Sequence, residues 1–81
     1  MQPETIQEMI ESNLPGSQAE VCGDGRHFQA VVICDDFAGK GMLQQHRMVY
    51  AALGDQMETA IHALSIRTYT VAQWADAQNA A

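Results

Sequence analysis

Residues 26–35 have the sequence RHFQAVVICD, and this stretch decides the fold class. It is rich in β-branched residues, which favour an extended strand. Successive side chains of a strand point to opposite faces. One face of the predicted strand therefore carries Phe28, Ala30, Val32 and Cys34, and the other face carries Val31 and Ile33. A strand with a continuous apolar face has to pack against a second layer of the protein.

The residues before this strand predict its hairpin partner. Ser17 to Cys22 is a second predicted strand, with Ala19 and Val21 on one side. Gly23-Asp24-Gly25 separates the two strands, and glycine and Asp-Gly pairs supply the positive φ angles of a tight turn.

A helix is predicted at the beginning of the chain. Pro3 suits a first helical turn, and Thr5 and Glu8 have the spacing of a capping box. Pro15-Gly16 ends the helix. Its apolar stripe consists of Ile6, Met9, Ile10 and Leu14.

The second half of the chain adds helices and one more strand. In order, the pattern predicts a helix from about Met42 to Leu53, a short helical segment after Gly54, a half-buried strand over Ala63–Tyr69, and a final helix opened by Thr70. Asp55 with Glu58, and Thr70 with Gln73, have capping-box spacing. The tail from Asp76 is expected to fray. The order α-β-β-α-α-β-α predicts one α+β domain over residues 1–81, with helices on one face of a small sheet.

Charge argues against nucleic acid as the first partner to consider. The net charge is −6, and seven of the ten acidic residues lie in residues 1–36, where Arg26 is the one basic residue. An acidic domain repels phosphate backbones at long range. The stretch from Ala38 to Gly54 is different, because it has no acid and contains Lys40 and Arg47. These two cations are either a weak phosphate-binding patch or part of a solvated helix face.

The cysteines and the N-terminus indicate a reducing compartment. Cys22 and Cys34 are not in a CxxC motif, so neither a disulfide framework nor a structural zinc site is expected. Residues 1–10 lack the basic and apolar regions of a signal peptide, and no apolar run is long enough to span a bilayer. We therefore expect a cytoplasmic protein with reduced thiols and no membrane contact.

Five segments together resemble the BolA family, including its short IbaG-type members. They are GDGRHF at residues 23–28, FAGK at 37–40, LQQHRMVY at 43–50, IHAL at 61–64 and TYTVAQW at 68–74. The match covers about residues 20 to 74 in the right order and spacing. One departure is Val71, where many relatives have proline; this change concerns helix initiation more than function.

The resemblance implies a class II KH-like fold with a mixed three-stranded sheet. It also implies an adaptor that binds a monothiol glutaredoxin and shares a [2Fe–2S] cluster with it, in iron–sulfur trafficking or iron and redox regulation. The glutaredoxin supplies a cysteine and its bound glutathione. The family's histidine ligand matches His62, and the loop ligand of the first hairpin matches His27, with Cys22 as its rival. No cofactor is expected in the isolated protein.

The residues taken alone permit simpler interpretations. His62 is then a structural histidine and His27 a surface histidine, while Cys22 is a small buried residue at a strand end and Cys34 belongs to the core. His46 shares a helix stripe with apolar residues, which favours a packed core or semi-core histidine over a ligand.

Two other functions fit the sequence less well. A nucleic-acid-binding transcriptional regulator would use the KH-like fold and Lys40 and Arg47, but no GxxG loop is present. Weak DNA binding is the most that the charge permits. No spacing suggests the nucleophile and base of an enzyme. The sequence leaves open whether the free protein is a monomer or a homodimer.

Overall fold

The computed structural model describes residues 2–56 and 63–79, which form an α+β fold. Their elements are α1 (Pro3–Asn13), β1 (Gln18–Gly23), β2 (His27–Ile33), a 3₁₀ turn (Asp35–Phe37), α2 (Met42–Leu53), β3 (Ala63–Tyr69) and α3 (Val71–Asn79). The predicted bounds of α2 and β3 are confirmed. The α3 helix continues past Asp76, where the tail was expected to fray. Most of the short helical segment predicted after Gly54, including Glu58, lies outside the described residues.

The sheet is mixed and has the strand order β1-β2-β3. β1 and β2 are antiparallel neighbours joined by the predicted hairpin, with Gly23 paired with Phe28. β2 and β3 are parallel, with His27 paired with Ala63 and Ile33 with Tyr69. Parallel strands require a long crossover connection, and here that connection contains α2. The mixed three-stranded sheet is the arrangement that the family resemblance implies.

One face of the sheet forms the core with α1 and α2. Phe28, Ala30, Val32 and Cys34 are all buried, so the predicted alternation of β2 is confirmed. The helices cover this face with apolar side chains from α1 and α2, namely those of Ile6, Ile10, Leu14, Val49, Ala52 and Leu53. Fully burying a side chain such as Ile or Phe contributes about 1.5–3 kcal/mol to the stability of the folded state. The contacts between the sheet and these two helices therefore stabilise the fold.

The opposite face of the sheet is open to solvent over much of its surface. Gln29, Ser65 and Arg67 lie on this face and are exposed. The interpretation of Cys22 as a buried strand-end residue is wrong, because Cys22 is the register partner of Gln29 and shares its exposed face. Ile33 is an exception on this face and is buried.

Two of the predicted capping boxes lie wholly within the described residues, and one of them is present. Thr70 and Gln73 form the predicted reciprocal capping box: the Thr70 N–H donates to Gln73 Oε1 at 2.9 Å, and the Gln73 N–H donates to Thr70 Oγ1 at 3.2 Å. The box predicted at Thr5 and Glu8 is wrong. The α1 helix begins at Pro3 with Gln2 as its N-cap, which places Thr5 inside the helix.

Gln45 connects three parts of the fold. Its Nε2 donates to the carbonyl oxygens of Phe37 (3.0 Å) and Lys40 (2.8 Å), and its Oε1 accepts a hydrogen bond from Thr68 Oγ1. The side chain therefore ties the loop before α2, the helix itself and β3 together. This connection fixes the N-terminal end of α2 beside the end of β3.

The α2 helix is only partly covered. Val49, Ala52 and Leu53 are buried, but Met42 and Leu43 are 72% and 66% exposed. The first turn of α2 extends beyond the core. His46 is half-buried. Among the described residues, no helix has the length and apolar character needed to cross a membrane.

Candidate functional site

The hairpin between β1 and β2 is built around a glycine that tolerates no side chain. A Cβ atom at Gly23 would meet the backbone carbonyl oxygen of His27 and would lie 2.6 Å from Phe28 Cδ1. Gly25 has a φ of +99°, which favours glycine. The two glycines let the chain turn tightly enough to bring the end of β1 against the start of β2.

Asp24 organises the turn through its carboxylate. Oδ1 of Asp24 accepts hydrogen bonds from the backbone N–H groups of Arg26 (2.9 Å) and His27 (2.8 Å), and the Asp24 N–H donates to the His27 carbonyl at 3.2 Å. The N–H groups of His27 and Arg26 hold the pKa of the Asp24 carboxyl below its ordinary value of 3.8. The carboxylate is thus fixed beside the first residue of β2.

His27 lies next to this carboxylate and is accessible. Its Nδ1 is 3.9 Å from Asp24 Oδ2, within ion-pair range but longer than a hydrogen bond, and the two side chains are 76% and 69% exposed. The hairpin therefore presents an exposed imidazole with a carboxylate nearby.

An open depression of about 360 Å³ lies beside His27. Its walls combine the hairpin with the first residues of β3, and they are formed by Cys22, Gly23, Asp24, His27, Phe28, Gln29, Ala63 and Ser65. The fold thus brings together both candidate loop ligands, because the exposed thiol of Cys22 lines the same depression as His27.

His62 lies outside the described residues. The residue that follows it in the sequence, Ala63, is the β3 partner of His27 and lines the same depression. The pairing of β2 with β3 therefore connects two stretches that are 36 residues apart in the sequence.

The described residues do not form a complete metal site. Residues 2–56 and 63–79 contain no group of three or more His, Cys, Asp or Glu side chains arranged to hold a metal ion. A [2Fe–2S] cluster takes four ligands in total. The chemistry of His27 and Cys22 is suitable for iron, but the described part of the hairpin offers too few ligands to enclose a cluster.

The candidate phosphate-binding residues lie elsewhere. Lys40 Nζ donates to the backbone carbonyl of Asp36 at 2.6 Å, and Arg47 is exposed on α2. His46 lines a groove of about 300 Å³ against the end of β3, with Met42, Ile66, Arg67 and Tyr69 among its neighbours. None of these residues lines the hairpin depression.

Two features of the surface were missed by sequence reasoning. Asp24 was predicted as a turn residue, and its approach to the His27 ring was not; the i,i+3 spacing of the two residues was the available signal. The exposure of Met42 and Leu43 was also missed, because periodicity identifies an apolar stripe without showing whether another element covers it.

Comparison with known proteins identifies relatives over nearly the whole chain. A family model described as "BolA-like protein" matches residues 1–73. The acid stress protein IbaG of Escherichia coli K12 is 34% identical over 76 residues, covering 93% of this chain and 90% of IbaG. The DNA-binding transcriptional regulator BolA of the same organism is 34% identical over 76 residues, covering 94% of this chain and 67% of that protein.

A solved structure supports the same relationship. The bolA protein homologue from Coxiella burnetii matches with a TM-score of 0.88 and 43% identity, covering 93% of this chain and 97% of that one. Relatives differ in length, and the chain spans 53% of the bovine BolA-like protein 1, to which it is 38% identical over 74 residues.

Proposed function

The chain belongs to the BolA-like protein family, and from this membership we propose that it is an adaptor that shares a [2Fe–2S] cluster with a monothiol glutaredoxin. In this proposal the cluster is cargo held between two proteins, and the chain acts by binding and not by catalysis. The observation that carries the proposal is the hairpin depression, where His27 and the residue following His62 meet at the surface.

The geometry of the depression supports a shared cluster more than a resident one. His27 is accessible and has the Asp24 carboxylate near its Nδ1. The described residues cannot supply four ligands, so a partner would have to complete the coordination. A glutaredoxin cysteine and its bound glutathione provide thiolates for the other side of the cluster.

We assign His62 as the principal ligand and His27 as the second. Neutral imidazoles hold iron less tightly than thiolates do, which suits a protein that receives and releases a cluster. Imidazole binds a metal only when the coordinating nitrogen is unprotonated. The proposal therefore includes loss of the mixed cluster on acidification.

The test is to mix the chain with a monothiol glutaredoxin carrying a cluster and glutathione, and to record visible absorption and circular dichroism. A spectrum that differs from that of the glutaredoxin alone is expected when the mixed cluster forms. Size-exclusion chromatography of the same mixture should show iron eluting with a complex of the two proteins.

Point variants separate the ligands. His62→Ala should abolish the mixed-cluster spectrum, and His27→Ala should weaken it. Cys22→Ser should leave it nearly unchanged, even though Cys22 lines the same depression. His46→Ala is the matched histidine control, because His46 lies in the other groove. A His62→Ala variant that folds and still gives an unchanged mixed cluster would show that the ligand assignment is wrong.

Binding of nucleic acid is the second candidate function. The Escherichia coli relative that is 34% identical is named as a DNA-binding transcriptional regulator, and Lys40 and Arg47 lie in a stretch without acids. However, Lys40 Nζ is engaged by the Asp36 carbonyl, and the chain carries a net charge of −6. This alternative predicts sequence-selective DNA binding, which the adaptor proposal does not require.

A further inference from the structure

An apolar stripe runs along the outer face of α2. Met42 and Leu43 in the first turn are 72% and 66% exposed, and Tyr50, two turns later, is 39% exposed. Arg47 is exposed between them. Residues separated by three, four, seven or eight positions share one face of a helix, so Leu43, Arg47 and Tyr50 form a continuous surface with Met42 beside it. These four residues are called the α2 stripe.

The α2 stripe is also the part of the chain with the most positive local charge. Residues 37–54 contain Lys40 and Arg47 and no acid, although the whole chain has a net charge of −6. Arg67 lines the groove that begins at Met42. The nearest acids in the sequence flank the stretch: Asp35, which accepts a hydrogen bond from the Val71 N–H, Asp36, and Asp55.

We propose that the α2 stripe is a docking surface for a protein segment that forms an acidic amphipathic helix. Such a helix would place apolar anchors on Met42, Leu43 and Tyr50 and a carboxylate beside Arg47. Exposed apolar side chains grouped on one helix face are typical of protein interaction surfaces, and complementary charge gives the partner its specificity.

Two other occupants fit the stripe less well. Nucleic acid is held mainly by cations on phosphates, and it would leave the exposed Met42 and Leu43 unused. A symmetric dimer needs a self-complementary surface. Two copies meeting through the α2 stripe would bring Arg47 and Lys40 toward like charges, with no acid in residues 37–54 to neutralise them.

The stripe and the hairpin depression are separate surfaces. The groove at Met42 is lined by Ile66 to Tyr69 of β3, whereas the depression is lined by Ala63 and Ser65. No residue lines both the groove and the depression, so a segment docked on the stripe does not have to cover His27.

The test uses a synthetic peptide in place of the unidentified partner. The probe is a fluorescein-labelled 18-residue helix with leucines on one face and glutamates on the others, and its binding is followed by fluorescence anisotropy. We expect saturable binding in the micromolar range that weakens with added salt. A peptide with lysine in place of glutamate, and one with the same residues in scrambled order, should bind at least about fivefold more weakly.

Matched variants locate the binding surface. Leu43→Ser and Arg47→Glu should each weaken binding by at least about fivefold. Val71→Ser and Arg26→Glu are the controls, because they change an exposed valine and an exposed arginine outside the stripe. Amide NMR shifts on adding the probe should fall on α2 and not on His27. Circular dichroism should show that all four variants retain the fold.

Three outcomes would overturn the proposal. In the first, the acidic helix binds no better than its lysine or scrambled counterparts. In the second, Leu43→Ser and Arg47→Glu bind the probe as tightly as the controls do. In the third, the stripe has a different occupant: either sedimentation shows a dimer that Leu43→Ser dissociates, or a 20-base-pair duplex binds the stripe more tightly than the peptide. No cluster or glutaredoxin enters these measurements, so they do not depend on the proposed function.

Discussion

Gly23 is the hairpin residue with the least space for a side chain. Any Cβ atom there meets the His27 carbonyl and the Phe28 ring, so a larger residue must move the backbone of β2. Gly23→Ser should therefore lower the free energy of unfolding by about 1–3 kcal/mol, measured by urea unfolding. It should also weaken the mixed cluster, because His27 begins the displaced strand.

Gly41→Ser is the matched control for this prediction. Gly41 is the N-cap of α2, has a φ of −73°, and has nothing within 4 Å of the added Cβ. Serine is a favoured N-cap residue, so this variant should be neutral or slightly stabilising. Equal destabilisation by the two substitutions would contradict the steric explanation.

Asp24 should titrate at an unusually low pH. The N–H groups of His27 and Arg26 stabilise its ionised form and hold its pKa below 3.8. Amide proton shifts of Arg26 and His27, followed by NMR during acidification, should therefore change with a midpoint below that value. Asp24→Ala should remove this titration from both amides. A midpoint at or above 3.8 would contradict this prediction.

The lowered pKa of Asp24 determines the direction in which its contribution to stability changes with pH. Because the pKa of Asp24 is lower in the folded than in the unfolded chain, its contribution is complete above the unfolded value of about 3.9. The contribution is lost as the pH falls through the folded pKa. The difference in unfolding free energy between the natural chain and Asp24→Ala should thus shrink on acidification, and urea unfolding at a series of pH values measures it.

At the scale of single residues, the sequence predicts the position of the hairpin, but it does not predict which of the hairpin's side chains are exposed or approach one another. Gly23, Asp24 and Gly25 identify the turn, because each residue type has its own backbone preference. The approach of Asp24 to His27 depends on the side-chain directions set by the folded turn. The exposure of Cys22 depends on which face of β1 the helices cover, and a six-residue strand of mixed polarity does not specify that.

At the scale of elements, Gln45 is the connection that positions α2. Its side chain bonds Phe37 and Lys40 in the preceding loop and Thr68 in β3. Gln45→Ala removes the donor to the Phe37 and Lys40 carbonyls and the acceptor of the Thr68 hydroxyl. Each hydrogen bond makes a net contribution of about 0.5–1.5 kcal/mol to stability. We therefore expect a loss of about 1–3 kcal/mol in urea unfolding.

Gln44→Ala is the control for Gln45→Ala, because it makes the same change at the neighbouring, exposed position. Its effect should stay within about 0.5 kcal/mol. Hydrogen exchange offers a second measurement: Gln45→Ala should speed exchange of the Lys40 and Gln45 amides, whose acceptors are the Phe37 and Gly41 carbonyls. Unchanged exchange at both amides would show that the loop is held by other contacts.

Elements with strong local patterns were predicted most accurately. The bounds of β3 and α2 match the structure, and the capping box of Thr70 and Gln73 is present. Pro3 lies in the first turn of α1, as predicted, but the Thr5–Glu8 capping box is absent because the helix begins at the proline and Thr5 lies inside it. Capping-box spacing alone does not decide between adjacent starts.

At the scale of the whole molecule, the sequence predicts the layers but not the strand order. Alternation in β2 and helical stripes in α1 require helices on one face of a sheet. The parallel pairing of β2 with β3 is a long-range contact, and no local pattern encodes it. It was available only through the family resemblance, which implies a mixed sheet. His62 remains a predicted ligand because it lies outside the described residues.

The distribution of charge over the molecule sets the limit on DNA binding. The net charge of −6 repels a polyanion, which leaves Lys40 and Arg47 near α2 and Arg67 on the open face of the sheet to meet phosphates. Each phosphate contact contributes about −0.9 to the slope of log K against log salt. Three contacts predict a slope no steeper than about −3, with no complex tighter than the micromolar range at physiological salt. Fluorescence anisotropy with one duplex and its scrambled counterpart, over a series of salt concentrations, measures both quantities. Nanomolar binding that distinguishes the two duplexes would contradict this limit and favour the regulator as the chain's main function.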